Sequence, residues 1–228
     1  MTASDVIVSD PEQVLGPLFE SGWSLHSSEA ETPDAILQEM VKLGDRLGTR
    51  VAGRAGQLGE VVEPIVADEA HPRSLSARYG LGALPFHTEL SHRPRPCRYL
   101  ILGCINPGAP AAATMLLEWR RLGFAREELD LLEEAPVLVR NGRRSFYSTI
   151  LAPGRAFLRY DPGCLEPLDE RGRKAIQLIE DRATRALSYA HHWRRSDVLI
   201  IDNWRVLHGR SPSDNGSGRR LARFLIDA

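Results

Sequence analysis

Little in this chain favours a highly charged partner, a disulfide framework or a membrane. Its 29 basic residues are balanced by 30 acidic ones, a formal charge of -1, so no excess positive field exists to attract phosphate backbones or anionic lipids. Lysine is almost missing: only Lys42 and Lys174 occur, and the arginines are spread along the chain. That bias reads first as genome composition, although arginine is also the better fork for fixing carboxylates. Cysteine is scarce as well. Cys97, Cys104 and Cys164 are odd in number and lack metal-finger spacing, which argues for a reducing compartment. No run of about 18 uncharged apolar residues appears, and Met1-Thr2-Ala3-Ser4-Asp5 is not a basic segment leading into an apolar one. The expectation is a cytoplasmic protein with a small-molecule substrate and with neither nucleic acid nor membrane as partner; the sequence carries no signal for an oligomeric state.

What the chain does have is enough apolar material for a substantial core, 43% of 228 residues, and we expect one domain over residues 1–228. Residues 1–59 read as a mainly helical part packing on the rest. Asp10-Pro11-Glu12 opens a short amphipathic segment. Thr32-Pro33-Asp34 supplies a cap, a first-turn proline and an early acid, and Gly48 closes that helix. Residues 60–228 turn to short β-like runs between glycines and prolines: 61–66, 98–105, 112–119, 136–140, 156–160, 197–202 and 221–226. Such a pattern predicts an antiparallel sandwich or barrel. One helix interrupts it, 171–190, with an apolar stripe at Ile176, Ile179, Ala183, Ala186 and Ala190. Residues 214–218, Asp-Asn-Gly-Ser-Gly, read as a hairpin loop.

The chemistry is carried by few residues. Leu84-Pro85-Phe86-His87-Thr88-Glu89-Leu90 holds His-x-Glu in an extended stretch, where side chains two apart share a face. Alone this means little, since 7 histidines and 30 acids in 228 residues produce about one such pairing by chance. His208, after the apolar run 197–201 and Asp202-Asn203, adds a second imidazole. Two histidines and one carboxylate on one face of an iron leave three positions open, as a bidentate co-substrate and oxygen require. Near the end, Arg219 and Arg223 share a face of a strand-like segment, and two inward arginines call for anionic partners. His191-His192 are neighbours on a strand approach and therefore point to opposite faces.

The order His87-x-Glu89, His208, Arg219 resembles the taurine dioxygenase/clavaminate synthase-like superfamily of iron(II)/2-oxoglutarate oxygenases. The likeness extends to Trp193-x-x-x-Asp197 and to Asp202-Asn203 ahead of His208, and covers roughly residues 74–228. It implies a mixed, mainly β fold, a double-stranded β-helix (jelly-roll) core with flanking helices. It also implies Fe(II) on His87, Glu89 and His208, 2-oxoglutarate held by Thr114 and Arg219, and O2 as oxidant. Arg223 corresponds to a second arginine that contacts substrate or supports the co-substrate, and Arg78 and Arg159 lie in segments that approach the substrate in relatives. The implied reaction is hydroxylation of a C–H bond of an amino acid or amino-acid derivative, with release of succinate and CO2. Glu89 argues against halogenation, because halogenases of the superfamily vacate that position. The competing reading is a non-catalytic module on a jelly-roll scaffold that grips an anionic ligand.

Overall fold

A computed structural model describes residues 11–53, 56–110 and 112–228, so Asp10 lies outside the described residues. In chain order the elements are α1 (Pro11–Ser21), β1 (Trp23–Ser27), α2 (Pro33–Leu47), β2 (Thr49–Val51), β3 (Glu60–Val62), α3 (Leu75–Tyr79), β4 (Leu84–His87), β5 (Tyr99–Asn106) and β6 (Thr114–Glu118). Then follow α4 (Arg126–Glu134), β7 (Val137–Val139), β8 (Phe146–Ser148), β9 (Leu165–Pro167), α5 (Glu170–Arg185), β10 (Tyr189–His191), β11 (Asp197–Asp202), β12 (Val206–Arg210) and β13 (Arg220–Asp227). Every strand pairing is antiparallel. Six strands run β1-β11-β5-β13-β2 with β3 also on β13, four run β10-β6-β12-β4, and three run β8-β7-β9.

The six- and four-stranded sheets face each other as the jelly-roll core. Alternation along β5 explains how one strand serves two layers. Leu100, Leu102 and Cys104 point between the sheets, where they meet Leu116, Leu199, Val206, Leu221 and Leu225. Tyr99, Ile101 and Ile105 point the other way, onto α2. That helix is built as its sequence predicts: the Thr32 side chain accepts from the Ala35 amide, Pro33 starts the first turn, and Gly48 ends it at φ 153°. Its buried residues Ile36, Met40, Leu43 and Leu47 form one stripe, each adding roughly 1.5–3 kcal/mol by burial. The helix lies so close that a Cβ on Gly103 of β5 would fall 2.4 Å from the Met40 sulfur, so only glycine fits there. On the far side, α4, α5 and the three-stranded sheet cover Leu117 and Leu207 of the four-stranded sheet.

Several sequence expectations are corrected. Within residues 1–59, the short strands β1 and β2 flank α2 and join the six-stranded sheet, which the sequence did not announce. The run 61–66 ends as a strand at Val62, since Pro64 has no N–H for the ladder. Residues 156–160 form only an isolated bridge, Leu151 to Leu158. The helix predicted over 171–190 stops at Arg185: Ala186 turns extended, and Tyr189–His191 pair with β6 instead. Residues 214–218 do not close a hairpin, because β12 and β13 lie in different sheets.

Candidate metal and anion site

His87 ends β4 and His208 lies on β12, and the two are direct partners across that strand pair. Their ring centroids are 4.2 Å apart. The His87 Nδ1 sits 2.9 Å from the Pro85 carbonyl. A carbonyl only accepts, so that contact calls for a proton on Nδ1, the tautomer that turns Nε2 toward the site as the potential ligand atom. Glu89 is not on the strand, contrary to the period-two expectation. It sits in the turn after β4, just ahead of Leu90, whose φ of 55° is unusual for a leucine. The turn still directs the carboxylate back to the histidines: Glu89 Oε2 is 3.9 Å from His208 Nε2, and one donor atom from each of His87, Glu89 and His208 lies within 4.8 Å of the others.

The strained turn is held from both sides. Thr88, fully buried, donates its hydroxyl to the Leu158 carbonyl at 2.8 Å. Asn203 accepts the Glu89 amide at 2.8 Å and donates from Nδ2 to the Glu89 carbonyl at 3.0 Å and the Cys97 carbonyl at 2.8 Å. Asn203 therefore fixes where Glu89 points, a positioning role the sequence analysis did not give it. The only signal was its place in the Asp202-Asn203 pair.

Charge at this point is set by burial and neighbours. Burial would raise the Glu89 carboxyl, but Arg223, His208 and His87 together outweigh it and bring it down to about 2. Burial and the adjacent His87 ring push His208 the other way, to about 3, so it is a neutral imidazole at physiological pH. Its buried Nδ1 has no partner. A neutral His208 imidazole and an ionised Glu89 carboxylate, with the His87 ring beside them, are the donor types that a 2-His-1-carboxylate iron site uses.

Beyond the triad a cavity of about 640 Å³ opens between the sheets, lined by His87, Glu89, His208, Thr114, Arg219 and Arg210 among others. The Thr114 hydroxyl accepts from the Trp193 indole at 3.0 Å and from Arg219 Nη2 at 3.1 Å. Both lone pairs are thereby used, and its own proton is left to donate to an acceptor in the cavity. Arg219 is buried, pairs with no carboxylate among the described residues, and has an unpartnered Nε. Burial, then the nearby Arg210, lower it to about 10. Arg210 was missed from sequence; it is buried too and donates to the carbonyls of Gly80 and Gly82.

The three residues expected at the substrate stand differently. Arg223 does line the cavity, but its Nη1 is 2.9 Å from Glu89 and its Nη2 pairs with Glu60. Glu60 comes from 163 positions away on β3, opposite Arg223 in register, so no local pattern announces it. Arg159 is no substrate ligand: it is 2% exposed, gives its fork to the carbonyls of Ser91, Arg93 and Pro94, and lies over Phe146 and Phe157. Arg78 is exposed, reaches the Pro162 carbonyl at 3.3 Å, and does not line the cavities at the triad. His191 is buried at 3.3 Å from Asp197 while His192 is exposed, and neither approaches the triad.

Residues 125–225 match the family model described as taurine catabolism dioxygenase TauD, TfdA family, a stretch that includes His208 and Arg219 but not His87 and Glu89. The chain is 28% identical over 229 residues to an L-lysine 3-hydroxylase of Catenulispora acidiphila, covering 90% of this chain and 62% of that one. Clavaminate synthase 2 of Streptomyces clavuligerus is 27% identical over 207 residues, 80% of this chain and 61% of that one. Over residues 125–225 the chain is thus similar to the TauD, TfdA family. An asparagine oxygenase solved with Fe(II), 3-hydroxyasparagine and succinate shares the fold at a TM-score of 0.77 and 18% identity, over 95% of this chain and 78% of that one. The chain spans about three-fifths of the length of the L-lysine 3-hydroxylase and of clavaminate synthase 2.

Proposed function

We propose that the protein is an iron(II)/2-oxoglutarate-dependent oxygenase that hydroxylates a C–H bond of an amino acid or amino-acid derivative. The observation that carries this is the meeting of three metal-ligating atoms within 4.8 Å and a carboxylate-free buried arginine on one cavity. His87, Glu89 and His208 would hold Fe(II). Arg219 and the Thr114 hydroxyl would take the distal carboxylate of 2-oxoglutarate, since a buried cation without a counter-charge is costly until an anion arrives. The bound iron, with 2-oxoglutarate and O2, would supply the oxidising power for C–H cleavage, giving the hydroxylated product, succinate and CO2.

The remaining work falls to the chain. A second cavity of about 540 Å³ meets the first at His87, Glu89 and Arg223 and is lined further by Glu60, His71, Ser74 and Asp161. Among the described residues Glu60 Oε1 is buried there without a hydrogen-bond partner, and Glu60 with Asp161 makes this side suited to the ammonium of an amino acid. Apolar walls from Leu84 and Leu90 help exclude water from the reacting carbon. The names of the relatives, a lysine 3-hydroxylase and an asparagine oxygenase, support an amino-acid substrate.

Succinate formation with a panel of free amino acids and derivatives, on protein loaded with iron(II) without oxygen, tests the reading. One equivalent of iron per chain and substrate-dependent succinate are expected, with both lost in His87→Ala, Glu89→Ala and His208→Ala. Near-normal turnover by any of these folded variants would refute it.

A further inference from the structure

The arginines that look scattered in the sequence are gathered by the fold. Arg73, Arg93, Arg95, Arg140, Arg143 and Arg144 line one groove of about 940 Å³, within the size range of small-molecule sites, in which Asp227 is the sole acidic lining residue among the described residues. Four of them already have partners: Arg140 pairs with Glu166 at 2.7 Å, Arg95 donates to the Ala228 oxygen at 2.7 Å, Arg93 donates to the Ala52 carbonyl, and Arg73 also has an interaction partner. Arg143 and Arg144 are exposed and make no side-chain hydrogen bond or ion pair among the described residues. A chain with a net charge of -1 thus concentrates its positive field here.

The groove is continuous with the substrate side of the triad. His92 lines both; Pro72 and Arg73 lie between His71 and Ser74 of the second cavity, and Gly163 and Cys164 follow its Asp161. A ligand in the second cavity that is longer than an amino acid extends past His92 into the arginines. Among the described residues no Phe, Tyr or Trp lines the groove, so it offers a poor stacking platform for a nucleobase, whereas arginine forks match phosphate oxygens bidentately.

We propose that this groove binds the phosphate of a substrate tail, so that the amino-acid head at the triad belongs to a phosphate-bearing conjugate. The head-group placement rests on the oxygenase reading above; the phosphate site does not. Two sources share this chemistry: a free phosphorylated metabolite, and the phosphate-linked arm of a carrier protein.

The first test is calorimetric titration of inorganic pyrophosphate into the metal-free protein and into Arg143→Glu/Arg144→Glu, whose exposed side chains leave the core untouched. Binding that weakens by about tenfold or more in the double variant, and weakens with added salt, is expected. Equal affinity in both proteins, no binding to the native chain, or tighter binding of a short oligothymidylate than of pyrophosphate overturns the proposal. The second test follows succinate with amino acids offered free, as phosphopantetheine thioesters, and on a phosphopantetheinylated carrier protein. One phosphate-bearing form should be used best, with its advantage lost in the double variant, and the preferred form identifies the source. Free amino acids turned over as well or better would refute a phosphate-bearing substrate. A protein inactive on every form that still binds pyrophosphate through Arg143 and Arg144 refutes the oxygenase reading and upholds the groove.

Discussion

Arg219 and Arg223 lie four residues apart, both reach the same cavity, and are in opposite electrostatic circumstances. Arg223 is held between Glu89 and Glu60, and its charged form is favoured even against burial. Among the described residues the Arg219 side chain has hydroxyl and ring contacts, with Thr114 and Trp193, and no carboxylate, and burial weakens its hold on the proton. One cation is already neutralised by the protein, while the other is built to be neutralised by something else. Position on a strand therefore does not decide what an arginine does; the carboxylates that the rest of the fold brings to it do. On the proposed reading Arg223 would serve the metal side by fixing the orientation of Glu89, and Arg219 would serve the co-substrate.

The largest effect that separates them is on co-substrate binding. Arg219→Ala removes a charge-assisted contact from a buried carboxylate, worth about 2–5 kcal/mol, or roughly thirtyfold to several thousandfold in 2-oxoglutarate affinity. The metal-to-ligand absorption band of the anaerobic iron(II) protein, titrated with 2-oxoglutarate, reads this directly. Arg219→Lys should restore part of the affinity, because the charge returns without the planar fork. Unchanged affinity in Arg219→Ala would mean that Arg210 or another group holds the anion.

Arg223→Ala should act on stability instead. It leaves Glu89 and Glu60 facing each other without their shared cation, at a cost of about 3 kcal/mol in the metal-free protein. Bound iron(II) supplies positive charge beside Glu89, so the loss should shrink when the metal is present. Chemical denaturation of both variants with and without iron(II) checks this. If the deficit is the same in both states, Arg223 does not act through Glu89. A raised KM for substrate without a stability loss would restore the substrate contact expected from sequence.

How much of this was legible follows from the range of the interactions. The helix 33–47 could be read because its cap, first-turn proline and stripe all lie within fifteen positions. The strands 99–106 and 197–202 could be read because they are buried on both faces and nearly all apolar. The triad was readable as residue types in order, although Glu89 reaches its place through a turn rather than by strand alternation. What was hidden depends on distant partners: Glu60 on Arg223, Asn203 on the Glu89 backbone, and the carbonyls of Ser91, Arg93 and Pro94 that claim Arg159. An inward arginine looks the same in sequence whether its partner is a ligand, a carboxylate or a turn of backbone.

Arg220 sharpens the comparison because it sits next to Arg219 and should do almost nothing. Strand parity turns it to the opposite side, and the register of β13 against β5 shifts just beyond it, between Arg220 and Leu221. Its side chain is half exposed and pairs with Glu63 at 2.8 Å, also half exposed. Exposed pairs of this kind contribute about 0–1 kcal/mol, since solvent screens the attraction and two long side chains lose freedom to make it. Arg220→Ala should therefore leave the 2-oxoglutarate band and its titration midpoint unchanged and lower the unfolding free energy by less than about 1 kcal/mol. The same anaerobic titration used for Arg219→Ala measures it side by side. If Arg220→Ala loses the band and Arg219→Ala keeps it, the bulge runs the other way in solution and the assignment of the anion-binding arginine moves by one residue.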